Sequence, residues 1–104
     1  MGNELQTAFI NYKQGNYATA WDLCQHILKT TPIQPDCLAM LGMMSNKAER
    51  YADAEKYLRK CLFFHPKKHI ILTELATSLV YLEKYDEAEK MLNQSMDINS
   101  NYEK

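Results

Sequence analysis

Three kinds of residue in this chain of 104 have the chemistry for a reactive site: three histidines, three cysteines and several clusters of charge. His65 and His69 are four apart, a spacing that suits zinc when both imidazoles share one helix face. Pro66 follows His65 directly and bars helical continuation, so the pair straddles a turn. No cysteine or carboxylate nearby completes a ligand set, and a metal site is not expected. His26, between Gln25 and Ile27, reads as a surface histidine. Cys24, Cys37 and Cys61 are odd in number, widely spaced and free of any CxxC, the pattern of reduced small hydrophobes in a reducing compartment. Neither GxGxxG nor GxxxxGK occurs, so no phosphate loop is present. The residues therefore imply no catalytic set, no metal and no cofactor.

Charge narrows the partners. Lys56, Arg59, Lys60, Lys67 and Lys68 form the densest basic cluster, but Glu49, Asp53 and Glu55 are close in sequence and aromatic interleaving is slight. It reads as solvated helix faces. Glu83, Asp86, Glu87 and Glu89 gather where a helix is expected to start, and there they favour its dipole. Twelve basic against thirteen acidic side chains leave a formal charge of −1, with no polybasic excess for nucleic acid. By thirds the charge runs 0, +3 and −4. No apolar run approaches the roughly eighteen residues of a membrane span, and Met1-Gly2-Asn3-Glu4 lacks the basic-then-apolar start of a secretory signal. A cytoplasmic protein with no membrane partner is expected.

The elements that position these side chains emerge from a period. Shifting the chain by 34 superposes Tyr17, Tyr51 and Tyr85, then Ala20, Ala54 and Ala88. Ala8, Gly42 and Ala76 coincide, as do Leu28, Leu62 and Met96, and Pro32 with Pro66. Within each unit, apolar residues step at three- and four-residue spacing in two stretches, predicting helices near 3–14, 18–30, 36–48, 52–64, 70–82 and 86–98. Gly15 marks the break inside the first unit, whereas Glu49 and Glu83 stand there in the others, so that turn must form without glycine. The small residues mark close helix crossings. The tyrosines at 17, 51 and 85 have rings that would fill the space between units, with the hydroxyl left wet. Cys24 aligns with Leu58, and Cys61 with Ile27, which makes both core. Cys37 opens a helix, a place that can expose a thiol and modestly acidify it, but with no partner base in view it is read as structural.

The stretch Tyr12-Lys13-Gln14-Gly15-Asn16-Tyr17-Ala18-Thr19-Ala20 resembles the tetratricopeptide repeat. So do Leu41-Gly42 with Tyr51-Ala52-Asp53-Ala54 and Pro66, and Leu75-Ala76 with Tyr85-Asp86-Glu87-Ala88. The ends depart from the pattern: Glu4 takes a usually apolar place, Thr7 replaces leucine and Ser100 replaces proline. The resemblance implies one all-α domain over 1–104. It would be a right-handed α-solenoid of three helix-turn-helix units (about 1–34, 35–68 and 69–102), six helices in all. It also implies a binding scaffold whose first helices line a concave groove. A subgroup of the family clamps chaperone carboxylates with basic and amide side chains, but the clamp places here hold Leu5, Phe9, Met40, Ile70 and Glu74. Glu74 would repel a carboxylate, so that specificity is excluded.

The inner face of the first helices carries Leu5, Phe9 and Tyr12, then Met40 and Met43, then Ile70, Thr73, Thr77 and Tyr81. Gln6, Lys13, Asn46, Lys47 and Glu74 are interspersed as a polar fringe that would fix register. Such a stripe suits an amphipathic helix or apolar peptide of a protein partner. The alternative is that part of it is helix–helix core. The function expected is a protein-interaction module without catalysis of its own. Two further readings stay open: a segment of a longer enzyme such as a transferase, and a small bacterial secretion chaperone. Leu92, Ser95, Met96 and Ile98 are expected to face an uncovered end suited to self-association.

Overall fold

The computed structural model describes the backbone over residues 4–103 and side chains over 4–98. Six helices follow one another: α1 (Glu4–Lys13), α2 (Tyr17–Thr30), α3 (Pro35–Lys47), α4 (Tyr51–Phe64), α5 (His69–Tyr81) and α6 (Tyr85–Glu103). Among the described residues there is no strand. The predicted start of the first helix at residue 3 lies outside the described residues. The largest departure from expectation is α6, which runs to Glu103 rather than stopping near 98. Its cause is local: Pro32 and Pro66 follow the ends of α2 and α4, but Ser100 leaves the third unit with nothing to stop the helix.

Within each unit the two helices are joined by the same left-handed cap. Gly15, Glu49 and Glu83 have φ of 83°, 62° and 63°. The next amide reaches back five residues each time, Asn16 to the Asn11 carbonyl, Arg50 to Ser45 and Lys84 to Leu79, all at 2.8 Å. This Schellman arrangement satisfies carbonyls that the helix end would otherwise orphan. Two glutamates hold a conformation that costs a residue with a Cβ roughly 1–2 kcal/mol, so the turn forms without glycine but under strain.

Two apolar cores run through the array, one joining α1, α2 and α3, the other joining α3 through α6. Gly42 on α3 is a close-approach glycine: a Cβ there would lie 2.5 Å from two side-chain carbons of Leu58 on α4. Ala8 and Ala76 are fully covered at the equivalent crossings.

The structure settles Cys37 and corrects two expectations. Cys37 is buried, not exposed: it packs with Cys24 in the first core, and burial pushes its thiol above the usual value rather than below it. Burial likewise pushes the Cys24 thiol up to about 12. Ser95 does not face an open end, because its hydroxyl is buried against α5, 2.9 Å from Thr73 Oγ1 and donating to the His69 carbonyl at 3.0 Å. Leu92 and Met96 on α6 are exposed, and Ile98 is half-buried. Of the three repeat tyrosines only Tyr51 stacks between units, face to face with Tyr81 at 4.3 Å; Tyr17 is partly exposed and packs on Tyr12 of its own unit at 5.7 Å, and Tyr85 is largely exposed.

Candidate partner-binding groove

The first helices α1, α3 and α5 enclose a cleft of about 650 Å³. Leu5, Gln6, Phe9 and Tyr12 come from α1, Asp36, Ala39, Met40 and Met43 from α3, and Ile70 and Ile71 from the first turn of α5, with Lys68 just before it. Phe9 and Ile70 stand on separate helices, 50% and 57% exposed, while Met40 is the buried floor at 4%. Helical spacing explains the set: residues three or four apart share a face, as Leu5 and Phe9 do on α1 and Met40 and Met43 on α3. Exposed apolar side chains lining one concavity are the usual mark of an interaction surface.

The polar fringe is partly occupied by the fold itself. Asn46 Nδ2 donates to the Glu74 carbonyl and to Glu74 Oε1, both at 3.0 Å, and Ser78 Oγ donates to Asn46 Oδ1 at 2.7 Å. This network bolts α3 to α5, so Asn46 and Glu74 lock the units together rather than standing free beside the cleft. Burial, and then the Glu74 charge, hold the Tyr12 hydroxyl above its usual pKa. Lys13 sits 5.4 Å over the Phe9 ring, a cation–π contact.

Other candidates fall elsewhere. Tyr81 is taken by its stack on Tyr51. Lys47 lies in a different cleft, beside the start of α2. Both lie on the inner face but a turn farther along, at the C-terminal ends of α3 and α5, where they meet the start of a second helix instead of the cleft. Thr73 faces α6 through Ser95, and Thr77 Oγ1 bonds back to the Thr73 carbonyl. In exchange, the cleft gains Asp36 and Lys68, an ion pair at 3.8 Å, and Ala39 and Ile71. Asp36 and Ala39 are 34 residues before Ile70 and after Leu5, so the period itself points to them.

The charged clusters resolve into contacts of the fold. Arg59 pairs with Glu55 at 2.8 Å and Glu87 at 2.7 Å, and Lys84 reaches Glu55 at 3.1 Å. Partial burial pushes the Glu55 carboxyl up, but hydrogen bonds from Arg59 and Lys84 outweigh it and hold the group below its usual value. His26 pairs with Glu4 at 2.8 Å, tying α2 to α1. His65 caps the end of α4 while His69 opens α5. Among the described residues no three His, Cys, Asp or Glu side chains gather as metal ligands. No helix among them is long and apolar enough to cross a membrane.

Comparison with known proteins agrees with this architecture. A family model described as the tetratricopeptide repeat matches residues 36–62, which span α3 and most of α4. A solved structure of the MamA R50E mutant superposes with a TM-score of 0.82 at 16% identity, over 91% of this chain and 69% of that one. No curated protein matches. At that identity the superposition speaks to the fold alone. Together with three units of one period and one turn geometry, this is the fold of an all-α helical repeat array, of which the middle unit matches the tetratricopeptide-repeat model. Repeats of this kind are in general protein-interaction scaffolds without catalysis.

Proposed function

We propose that the chain takes up an apolar segment of a partner protein, as an amphipathic helix or an extended peptide, in the cleft between α1, α3 and α5, and carries no catalysis of its own. The observation that supports this is the exposure of Phe9 and Ile70 on separate helices around a cleft large enough for several side chains. Met40 and Met43 supply adaptable surface beneath them. The Phe9→Glu/Ile70→Glu double variant tests it, because both residues are exposed enough to accept charge without breaking a core. Proteins captured from native lysate by the wild type should be lost by the variant, with helicity and melting temperature unchanged. Retention of the same proteins by the folded variant would contradict the proposal.

A second reading, self-association through α6, is favoured by the exposed Leu92 and Met96. Mass measured across concentration, with Met96→Lys as control, separates it from the first.

A further inference from the structure

The 34-residue period allows the two junctions between units to be compared position by position, and they differ in the side chains that close them. At the second junction Tyr81 lies flat on Tyr51, with ring centroids 4.3 Å apart and planes 4° apart. Beside that stack Lys84 bonds to the Glu55 carboxylate at 3.1 Å, and Leu79 is fully buried. A planar ring and a carboxylate thus complete that junction.

At the first junction the scaffold is the same but both are missing. Tyr17 stands where Tyr51 does, but Lys47 replaces the stacking Tyr81. Arg50 stands where Lys84 does, but Trp21 replaces the acid Glu55. Ser45 replaces Leu79. The result is an open cleft of about 410 Å³ at the start of α2 and the end of α3, within the range of ligand sites. Tyr17 and Trp21 give it aromatic surface, and Lys47 and Arg50 line it without an ion-pair partner among the described residues. Ser45 on the same lining has a buried hydroxyl oxygen with no hydrogen-bond partner, a deficit that buried polar groups rarely carry.

We infer that the first junction is a second binding site, distinct from the α1–α3–α5 cleft, for a partner peptide that brings an aromatic ring beside a carboxylate. The ring takes the place on Tyr17 that Tyr81 takes on Tyr51. The carboxylate meets Arg50 and Lys47 as Glu55 meets Lys84. The chain's own second junction supplies the geometry, and two cations without acids supply the charge complement.

Trp21 is the sole tryptophan and lines the cleft, so its emission, excited where phenylalanine and tyrosine are silent, reports occupancy directly. The probe is acetyl-Glu-Phe-amide, with acetyl-Gln-Phe-amide, acetyl-Glu-Ala-amide and free phenylacetate as comparators. The Glu-Phe peptide should saturate the signal, and loss of either its charge or its ring should weaken binding about tenfold. Arg50→Gln should weaken the Glu-Phe peptide by a similar factor and leave the Gln-Phe peptide unaffected. Ser45→Leu/Lys47→Tyr installs the stacking ring and the buried leucine of the second junction and should abolish binding while raising the melting temperature. Phe9→Glu should leave binding unchanged.

No saturation, or equal affinity for the Glu and Gln peptides, would overturn the inference. Tighter binding of phenylacetate than of any peptide would overturn the peptide assignment in favour of a small aromatic acid. Loss of the signal in Phe9→Glu would place the peptide in the other cleft. A rise in melting temperature of the graft with no binding by the wild type would leave the first junction merely under-packed.

Discussion

The first and second junctions of this array share a backbone plan and differ in side chains, and the difference separates what holds the units together from what they can offer a partner. The second junction is sealed by a tyrosine stack, the Asn46–Glu74–Ser78 network and the Glu55 ion pairs. The first relies on the Cys24–Cys37–Met44 packing and on Gln25 donating to the Tyr57 hydroxyl at 3.1 Å, and leaves a cleft beside it. A repeat family can thus keep its fold while opening one joint, because period and small-residue crossings set the backbone and other positions set the seal.

The largest effect is expected where the equivalent core positions differ. Leu58→Ala should cost roughly 2–5 kcal/mol, since the side chain is fully buried against Gly42. Cys24→Ala, its counterpart in the first unit, removes less and should cost about 1–2 kcal/mol. Urea unfolding of both variants checks the ratio, and equal losses would break the comparison. Gly42→Ala comes next, at about 1–3 kcal/mol, because the added methyl must displace a packed leucine.

Opening the second junction should be milder. Tyr81→Lys, which copies the first junction, should lose about 0.5–1.5 kcal/mol with the stack, read as a lower urea midpoint. Acid should weaken the same junction. The folded pKa of Glu55 is depressed, so its contribution is complete above the unfolded value and is lost as pH falls through the folded one. Wild-type stability should therefore decline below about pH 4 more steeply than that of Glu55→Gln. The smallest effect is a gain: Glu49→Gly and Glu83→Gly relieve left-handed strain and should each add about 0.5–1 kcal/mol, net of glycine's greater unfolded freedom.

The fold was legible because its determinants are local and periodic: a 34-residue step, alanine or glycine at the crossings, and proline after the second helices. The cleft was legible where it follows the same rule, so Leu5, Phe9, Tyr12, Met40, Met43 and Ile70 come together as their helical spacing requires. Lys47 and Tyr81 share the face of the cleft residues but are the last residues of α3 and α5, and periodicity gives the face without saying how far along the helix the cleft extends. Lys68 was read as part of a solvated cluster, since the turn from His65 to Lys68 decides which way it points. The engagement of Asn46 with Glu74 depends on rotamers spanning two units, and no spacing in the sequence encodes it.

The most direct measurement places p-benzoylphenylalanine at position 9 and maps photo-crosslinks in native lysate, with and without Ile70→Glu. If the α1–α3–α5 cleft holds a partner, crosslinks form to an apolar segment of a discrete protein, and Ile70→Glu suppresses them in a chain that melts as the wild type does. Crosslinks that persist unchanged in the Ile70→Glu chain would contradict a partner site in that cleft.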